Sequence, residues 1–430
     1  MYVIRRAKVD DATTLLKLAK MVHFINLPPD KEIITQKIVH SRNCFLKLAN
    51  AQAELEPEPL PQSIVGIGDE RTTIEGLGVS AARSDLFVFV LEDTTSGNVL
   101  GTSQTLAKMG GPGNPNFSFR LEKREFFSES LQTGSTQVVA VLREDESGPT
   151  EIGGLIIQPS FRGHPKKLGW FLSIVRFHFM GLHRKVFSDK VIAEMMAPIT
   201  ADSHNLLWDY LGRRFIPLSY DEADRFCQYS REFIATMLPR EPLYLSLLPP
   251  AARAVIGEVG PETKSARRML EKLGFVYGGI VDPFDGGPHL TAYTDDISLV
   301  RETVWRRASK PVRATACKRR GVVSVLKDNG EFFAIHEDFA VNADGTIGIT
   351  KAHASVIGLE EGDAVGVTPT DRKGPVPEPA RAEARASTKK KPRSKRAKTE
   401  PTRGGPKKPT RKVSAKSSGA RKPARSKRSA

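Results

Sequence analysis

The stretch Glu151–His183 constrains this chain more than any other. It opens on an apolar run, Ile152-Gly153-Gly154-Leu155-Ile156-Ile157, and crosses a Pro- and Gly-containing turn that carries Arg162, Lys166 and Lys167. From Gly169 it continues as Trp170-Phe171-Leu172-Ser173-Ile174-Val175-Arg176-Phe177-His178-Phe179-Met180. A short apolar run bounded by turn residues predicts a strand buried on both faces. A segment apolar on nearly all sides for about three turns predicts a helix in the middle of a domain. Strand, basic loop and buried helix together make an anion cradle, because the free N–H groups and positive dipole end of the helix face the loop. A solvated basic turn has the same composition, so Arg162, Lys166 and Lys167 stand either as pyrophosphate ligands or as loop charges. Gly153-Gly154 removes side chains where a ligand backbone would lie alongside the strand.

The net charge of +16 is confined to one end. Residues 371–430 hold 22 Lys and Arg against 4 Asp and Glu, whereas 1–370 hold 43 against 45. That tail has no apolar face to offset chain entropy and is expected to be disordered. Its single-signed charge would bind nucleic acid through counterion release without reading sequence, or would simply solubilise the chain. Cys44, Cys227 and Cys317 are too few and scattered for a disulfide framework or a zinc site, and no metal is expected. A reducing, cytoplasmic compartment follows as the expectation. Arg5-Arg6 fall where a signal peptide needs its apolar run, and the apolar stretch Leu168–Leu182 is too short to span a bilayer, so no membrane is expected.

The remaining pattern predicts an α+β chain. Tyr2–Arg6 reads as a strand, and Asp10-Asp11 start a helix with Leu15, Leu16, Leu18 and Ala19 inward. A second helix follows over Pro29–Val39, then a Pro- and Gly-containing insertion over 50–82. Leu86–Leu91 and Val99–Gly101 flank a turn and predict a hairpin, with further strands at Gln137–Leu142 and Lys190–Met196. Helix, Leu-Gly, then aromatic strand occurs twice, at Leu207–Ile216 and Met269–Tyr277. Either copy alone is a Gly helix stop before a strand; two in this order suggest a partial tandem duplication. Short strands at Gly321–Leu326, Glu331–His336 and Ala364–Val367 mark a small β-rich module. The expected domains are 1–215, 216–299, the module 300–370 and the tail 371–430.

Strand, Arg162 loop and Gly169 helix, followed by a helix ending Leu-Gly, resemble the GNAT acyl-CoA N-acyltransferases. More particularly, Met1 to about Thr370 resembles the arginine N-succinyltransferase family. Phe87–Asp93, Asp189–Met195, Trp208 with Leu211-Gly212, Phe233–Ala235, Val255–Gly257, Leu270–Lys272 and Asp282-Pro283-Phe284-Asp285-Gly286-Gly287-Pro288 carry the likeness. The resemblance implies a GNAT-like acyl-CoA N-acyltransferase fold, succinyl-CoA as co-substrate with no permanent cofactor, and arginine or ornithine as the amine. It also implies a possible oligomer. The family's Leu that contacts succinyl-CoA falls on Leu155, and its proton-donor His falls on Gly260, before Pro261. The family's Gly-Gly-Gly-Leu-Thr-Ser-Leu-Pro run is replaced by Val22–Pro28, and its Cys-Gly-Thr-Gly-Gln run by Cys227–Arg231. The alternatives to arginine succinylation are a related acyltransferase with another amine or acyl-CoA, and a catalytically weak body tethered to nucleic acid.

Acyl transfer to an amine needs a polarised carbonyl, a deprotonated amine and donors for the oxyanion. As the resemblance implies, backbone N–H groups over Leu155–Ile157 polarise the thioester, and Arg162, Lys166, Lys167 and the helix opened by Gly169 take the pyrophosphate. Glu151 and Glu194, carboxylates in or beside buried strands, are candidate bases, although ion pairing is the commoner fate of such residues. Asp282 and Asp285 are candidates to hold the cationic substrate, or else form ordinary Asx turns. His289 is the candidate substitute for the missing proton donor.

Overall fold

The structure is a computed structural model in which residues 1–21, 27–50, 55, 64–65, 71–72, 84–200, 204–227, 230–371 and 373–378 are described. Most of the expected insertion at 50–82, the Val22–Asn26 part of the replaced glycine run, and the tail beyond residue 378 lie outside the described residues.

The chain begins with β1 (Tyr2–Arg6), α1 (Ala12–Lys20) and α2 (Lys31–Ala49). Asp30 caps α2 by accepting from the Glu32 and Ile33 N–H groups, and the helix runs well past the expected end at Val39. A two-stranded ladder of β2 (Ile64–Val65) and β3 (Arg71–Thr72) follows. Next come the expected hairpin β4 (Leu86–Asp93) and β5 (Asn98–Leu106), and a longer one of β6 (Asn116–Ser128) and β7 (Thr133–Asp145). The central unit is β8 (Thr150–Ile157), α3 (Leu168–Leu182) and β9 (Lys190–Glu194). Short helices α4 (Arg213–Phe215), α5 (Tyr220–Cys227), α6 (Glu232–Met237) and α7 (Pro250–Val255), with strand β10 (Leu243–Tyr244), lead to α8 (Lys264–Lys272). Then come β11 (Val276–Val281), β12 (Pro288–Tyr293) and α9 (Ser298–Arg301). The C-terminal part holds β13 (Val304–Arg307), β14 (Arg319–Leu326), β15 (Phe332–Val341), β16 (Ile347–Gly348), α10 (Lys351–Ile357) and β17 (Ala364–Pro369).

One sheet runs β10-β7-β6-β11-β12-β9-β8-β5-β4-β1-β15-β14-β17-β13, with β16 on β15. β12 pairs with β9 over five residues and β11 pairs with β6, so 216–299 continues the sheet begun by 1–215. The first Leu-Gly copy misled for a physical reason. Gly212 keeps right-handed helical angles and stops nothing, and Phe215 lies in α4, not in a strand. Its role is space: a Cβ there would lie 2.3 Å from the Trp208 ring. Gly274, at φ +96°, is a true helix stop before β11. The C-terminal strands form a separate apolar cluster around Val323, Val325, Ile335, Phe339, Val365 and Val367, yet they continue the same sheet through β15 on β1.

α3 is buried as its all-round apolar sequence predicts, and packs on Phe45, Phe87, Phe89 and Phe332. The Phe87 and Phe179 ring centroids are 4.7 Å apart. Each such side chain contributes about 1.5–3 kcal/mol by leaving water. Among the polar residues of α3, His178 is wholly buried and bonded at both ring nitrogens. Nδ1 lies 2.6 Å from Thr368 Oγ1 and Nε2 lies 2.6 Å from Ser324 Oγ. Burial pushes its pKa down to about 3, so it is a neutral tie between the central helix and the C-terminal strands.

Candidate active site

β8 and β9 are parallel neighbours for two rungs only, Thr150–Val191 and Glu151–Ile192. Beyond these, β9 follows β12, where Glu194 faces His289, while β8 stays with β5 as far as Ile157. The two strands therefore splay, and the edge of β8 that faces β9 has no ladder partner from Ile152 onward among the described residues. Unpaired backbone groups on such an edge suit an extended substrate chain. α3 floors the gap, packing against Ile152 on one side and Val191, Ala193 and Met195 on the other. The β5–β8 register also shifts opposite Gly153–Leu155. Gly154 takes φ +57°, so this glycine serves a bulge that turns the backbone at the middle of the open edge.

On one side of the splay lies an acidic pocket of about 40 Å³, lined by Asn116, Glu194, Asp224, Arg231, Asp282 and Phe284 among others. That is room for a single group the size of water or an ammonium. Glu194 Oε1 is 3.5 Å from His289 Nε2 and 3.4 Å from Asn116 Nδ2, and Asp282 Oδ2 is 4.0 Å from the same imidazole nitrogen. Burial and the neighbouring Asp282 charge hold the Glu194 carboxyl above its ordinary range. Burial opposes protonation of His289, but the Glu194, Asp282 and Asp285 carboxylates outweigh it and the net shift is upward. Asp224, also buried, is raised well above the carboxylate range. Ligand atoms of Glu194, Asp282 and His289 lie within 4.8 Å of one another, a spacing suited to a cation.

The two aspartates of the Asp-Pro-Phe-Asp turn divide their work. Asp282 Oδ1 accepts from Phe284 N at 2.7 Å and Asp285 N at 3.0 Å, an Asx turn that leaves Oδ2 toward the pocket. Asp285 spends one oxygen on Ala197 N at 3.0 Å and the other on Gly287 N at 2.6 Å, tying the end of β9 to the turn. It does not line the pocket, which corrects the expectation that the pair grips substrate together. Burial, with Asp282 adding to it, pushes Asp285 up to about 8. Glu151 is buried at the last shared rung of β8 and β9 and is likewise not among the pocket residues.

At the α3 end of the splay opens a basic cleft of about 760 Å³, lined by Lys166, Lys167, Trp170, Arg268, Lys272, Arg320 and His336 among others. Lys167 takes φ +52° before the first turn of α3, which no side chain caps. Lys166 reaches Glu337 at 3.5 Å, and Gly169 follows in the first turn of the helix. Leu155 and Ile157 lie on the open strand edge, half-buried against the main core. Arg162 departs from expectation: its guanidinium pairs with Glu262 at 2.9 Å and lies outside the cleft lining, because the loop turns it toward the segment before α8.

Residues 72–299 match the family model described as arginine N-succinyltransferase beta subunit. The chain belongs to the arginine N-succinyltransferase family. An arginine N-succinyltransferase of Yersinia pestis (strain Pestoides F) is 33% identical over 293 residues, covering 65% of this chain and 81% of the relative. One from Citrobacter koseri is 31% identical over 306 residues, with 70% and 79% covered. Among solved structures, arginine/ornithine succinyltransferase subunit AI from Pseudomonas aeruginosa superposes with a TM-score of 0.66 at 25% identity, covering 86% of this chain and 98% of that one.

Within this family member, Gly260 is buried at the end of β9, where its N–H donates to Met196 O at 3.1 Å. A Cβ there would meet Ala197 O at 3.4 Å. Sequence reasoning missed several residues. Arg268 and Lys272 are one helical turn apart on α8, a spacing that could have shown a basic face. Arg320 and His336, from the C-terminal strands, and Asn116 on β6, Asp224 on α5 and Arg231 just before α6, carry no local signal. Among the described residues no helix is long and apolar enough to cross a membrane.

Proposed function

We propose that this chain transfers the succinyl group of succinyl-CoA to the α-amine of arginine. The observation that carries the reading is the splay between β8 and β9, with a basic cleft at one end and an acidic pocket beside it. The strand order with one splayed parallel pair supports a single GNAT-like acyl-CoA N-acyltransferase fold. Lys166, Lys167, Arg268, Lys272 and Arg320 neutralise the coenzyme phosphates. The N–H groups at the bulge of Gly154–Ile157 polarise the thioester carbonyl and hold the oxyanion. Glu194, with its carboxyl pKa raised by burial, takes the proton of the attacking amine, and Asp282 offers its second oxygen to the substrate cation. Where the family resemblance puts a proton-donor His, this chain has Gly260. His289, opposite Glu194 on β12, supplies the imidazole from the neighbouring strand and protonates the leaving thiolate.

Free thiol released from succinyl-CoA in the presence of L-arginine, L-ornithine or L-lysine tests this, on the full chain and on a form lacking 379–430. The expected result is turnover highest with arginine or ornithine and unchanged by removing the tail. No thiol release with any of the three amines, together with DNA binding that disappears with the tail and with salt, would replace the enzyme reading by the tethered-protein one.

A further inference from the structure

Arg176 is a buried cation with no part in the proton transfers proposed for the site. It lies on α3, the floor of the splay, and is 3% exposed. Its Nε donates to Ser173 O at 3.1 Å, its Nη2 to Ser173 Oγ at 2.7 Å, and its Nη1 reaches Gly153 O at a long 3.5 Å. All three acceptors are neutral, and no carboxylate pairs with it among the described residues. Burial alone pushes its pKa down to about 9, which leaves it charged at neutral pH. A guanidinium has five N–H donors. A desolvated charge without a counter-charge is costly, and is commonly compensated by a partner that brings the opposite charge.

Its position indicates which partner. Nη1 reaches the carbonyl of Gly153, the residue before the bulge at which the thioester carbonyl is polarised. One strand residue spans about 3.3 Å. Three carbon–carbon bonds, from the thioester carbon of a four-carbon diacid to its far carboxyl carbon, span about 3.8 Å. An acyl chain pointing along β8 toward Glu151 therefore ends at the level of Gly153, above the guanidinium.

We propose that Arg176 anchors the distal carboxylate of the acyl group and so selects a dicarboxylic monothioester over an uncharged acyl-CoA of equal length. This rests on the acyl-transfer reading and assigns the site that distinguishes succinyl from butyryl. The free carboxylate makes a bidentate pair with Nη1 and Nη2, replacing the long Gly153 contact with a charge-assisted one. No bond is made or broken at this end of the acyl chain.

The test measures kcat/KM for succinyl-CoA and butyryl-CoA with arginine in the full-length protein, Arg176→Gln and Arg176→Lys. The unaltered protein is expected to prefer succinyl-CoA. Arg176→Gln should lower the succinyl-CoA value by about 10²–10³-fold while changing the butyryl-CoA value by less than about threefold, and Arg176→Lys should restore part of the preference. Equal losses with both thioesters would make Arg176 a structural residue and overturn the proposal, as would no change with either. Should Arg176→Gln fail to fold, the unaltered protein decides: equal kcat/KM for the two thioesters also overturns it. Turnover of butyryl-CoA without any of succinyl-CoA would overturn the proposed function as well. Turnover of succinyl-CoA that Arg176→Gln leaves non-discriminating would overturn only the role of Arg176.

Discussion

Replacing Glu194 by Gln removes one charge from the acidic pocket and preserves its shape. The Glu194 oxygen lies 3.5 Å from His289 Nε2. Two unit charges at that separation interact by about 5 kcal/mol at an effective dielectric of about 20, equivalent to about 3.5 pH units. Two features reduce the effect. Burial raises the Glu194 pKa and so disfavours its charge, and Asp282 remains at 4.0 Å to hold the imidazolium. A fall in the His289 pKa is therefore expected. Burial then opposes the charge against fewer carboxylates, so the shift is downward. NMR titration of labelled imidazole nitrogens reads the shift directly. In the thiol-release assay kcat should fall by about 10²–10⁴-fold, while KM for succinyl-CoA, set in the other cleft, stays the same. A His289 titration within about 0.3 unit of the unaltered protein would refute the coupling. An unchanged kcat would refute Glu194 as the base.

Two other perturbations probe separate parts of the molecule. Arg268→Ala and Lys272→Ala should each raise KM for succinyl-CoA by about tenfold or more at low salt with little change in kcat, checked by steady-state kinetics over a salt series. His178 has a folded pKa of about 3, below its ordinary unfolded value, so its contribution to stability is fully present above about pH 6.5 and is lost as pH falls toward 3. Urea unfolding from pH 7 to pH 4 should show that loss, and His178→Ala, which strands the Ser324 hydroxyl and leaves Thr368 bonded to Thr303 alone, should cost about 1–3 kcal/mol at pH 7 and flatten the pH slope.

The central strand and helix were legible because their apolar runs leave few alternatives, and the β4–β5 hairpin because its turn is punctuated by Gly97 at φ +72°. His289 and Glu194 could be named from composition, but their opposition across β9 and β12 depends on a register fixed by the whole sheet. Asp285 looked like a ligand because Asp before Gly has the same appearance whether its oxygens face solvent, substrate or backbone N–H groups. The false repeat at Leu211-Gly212 has a similar origin: a glycine that makes room for an indole is spelled like one that ends a helix. Arg162 was misplaced by long-range pairing with Glu262, which no local pattern records.

β15 lies against β1 and carries His336, while Arg320 on β14 and Thr370 just beyond β17 join it on the wall of the 760 Å³ cleft. The C-terminal strands are thus no appendage. A chain shortened to residue 299 would expose the backbone of β1 as a raw sheet margin and take away one bank of the basic cleft. The loop before α3 and the far C-terminal strands, distant in sequence, thus depend on each other for the shape of a single cleft.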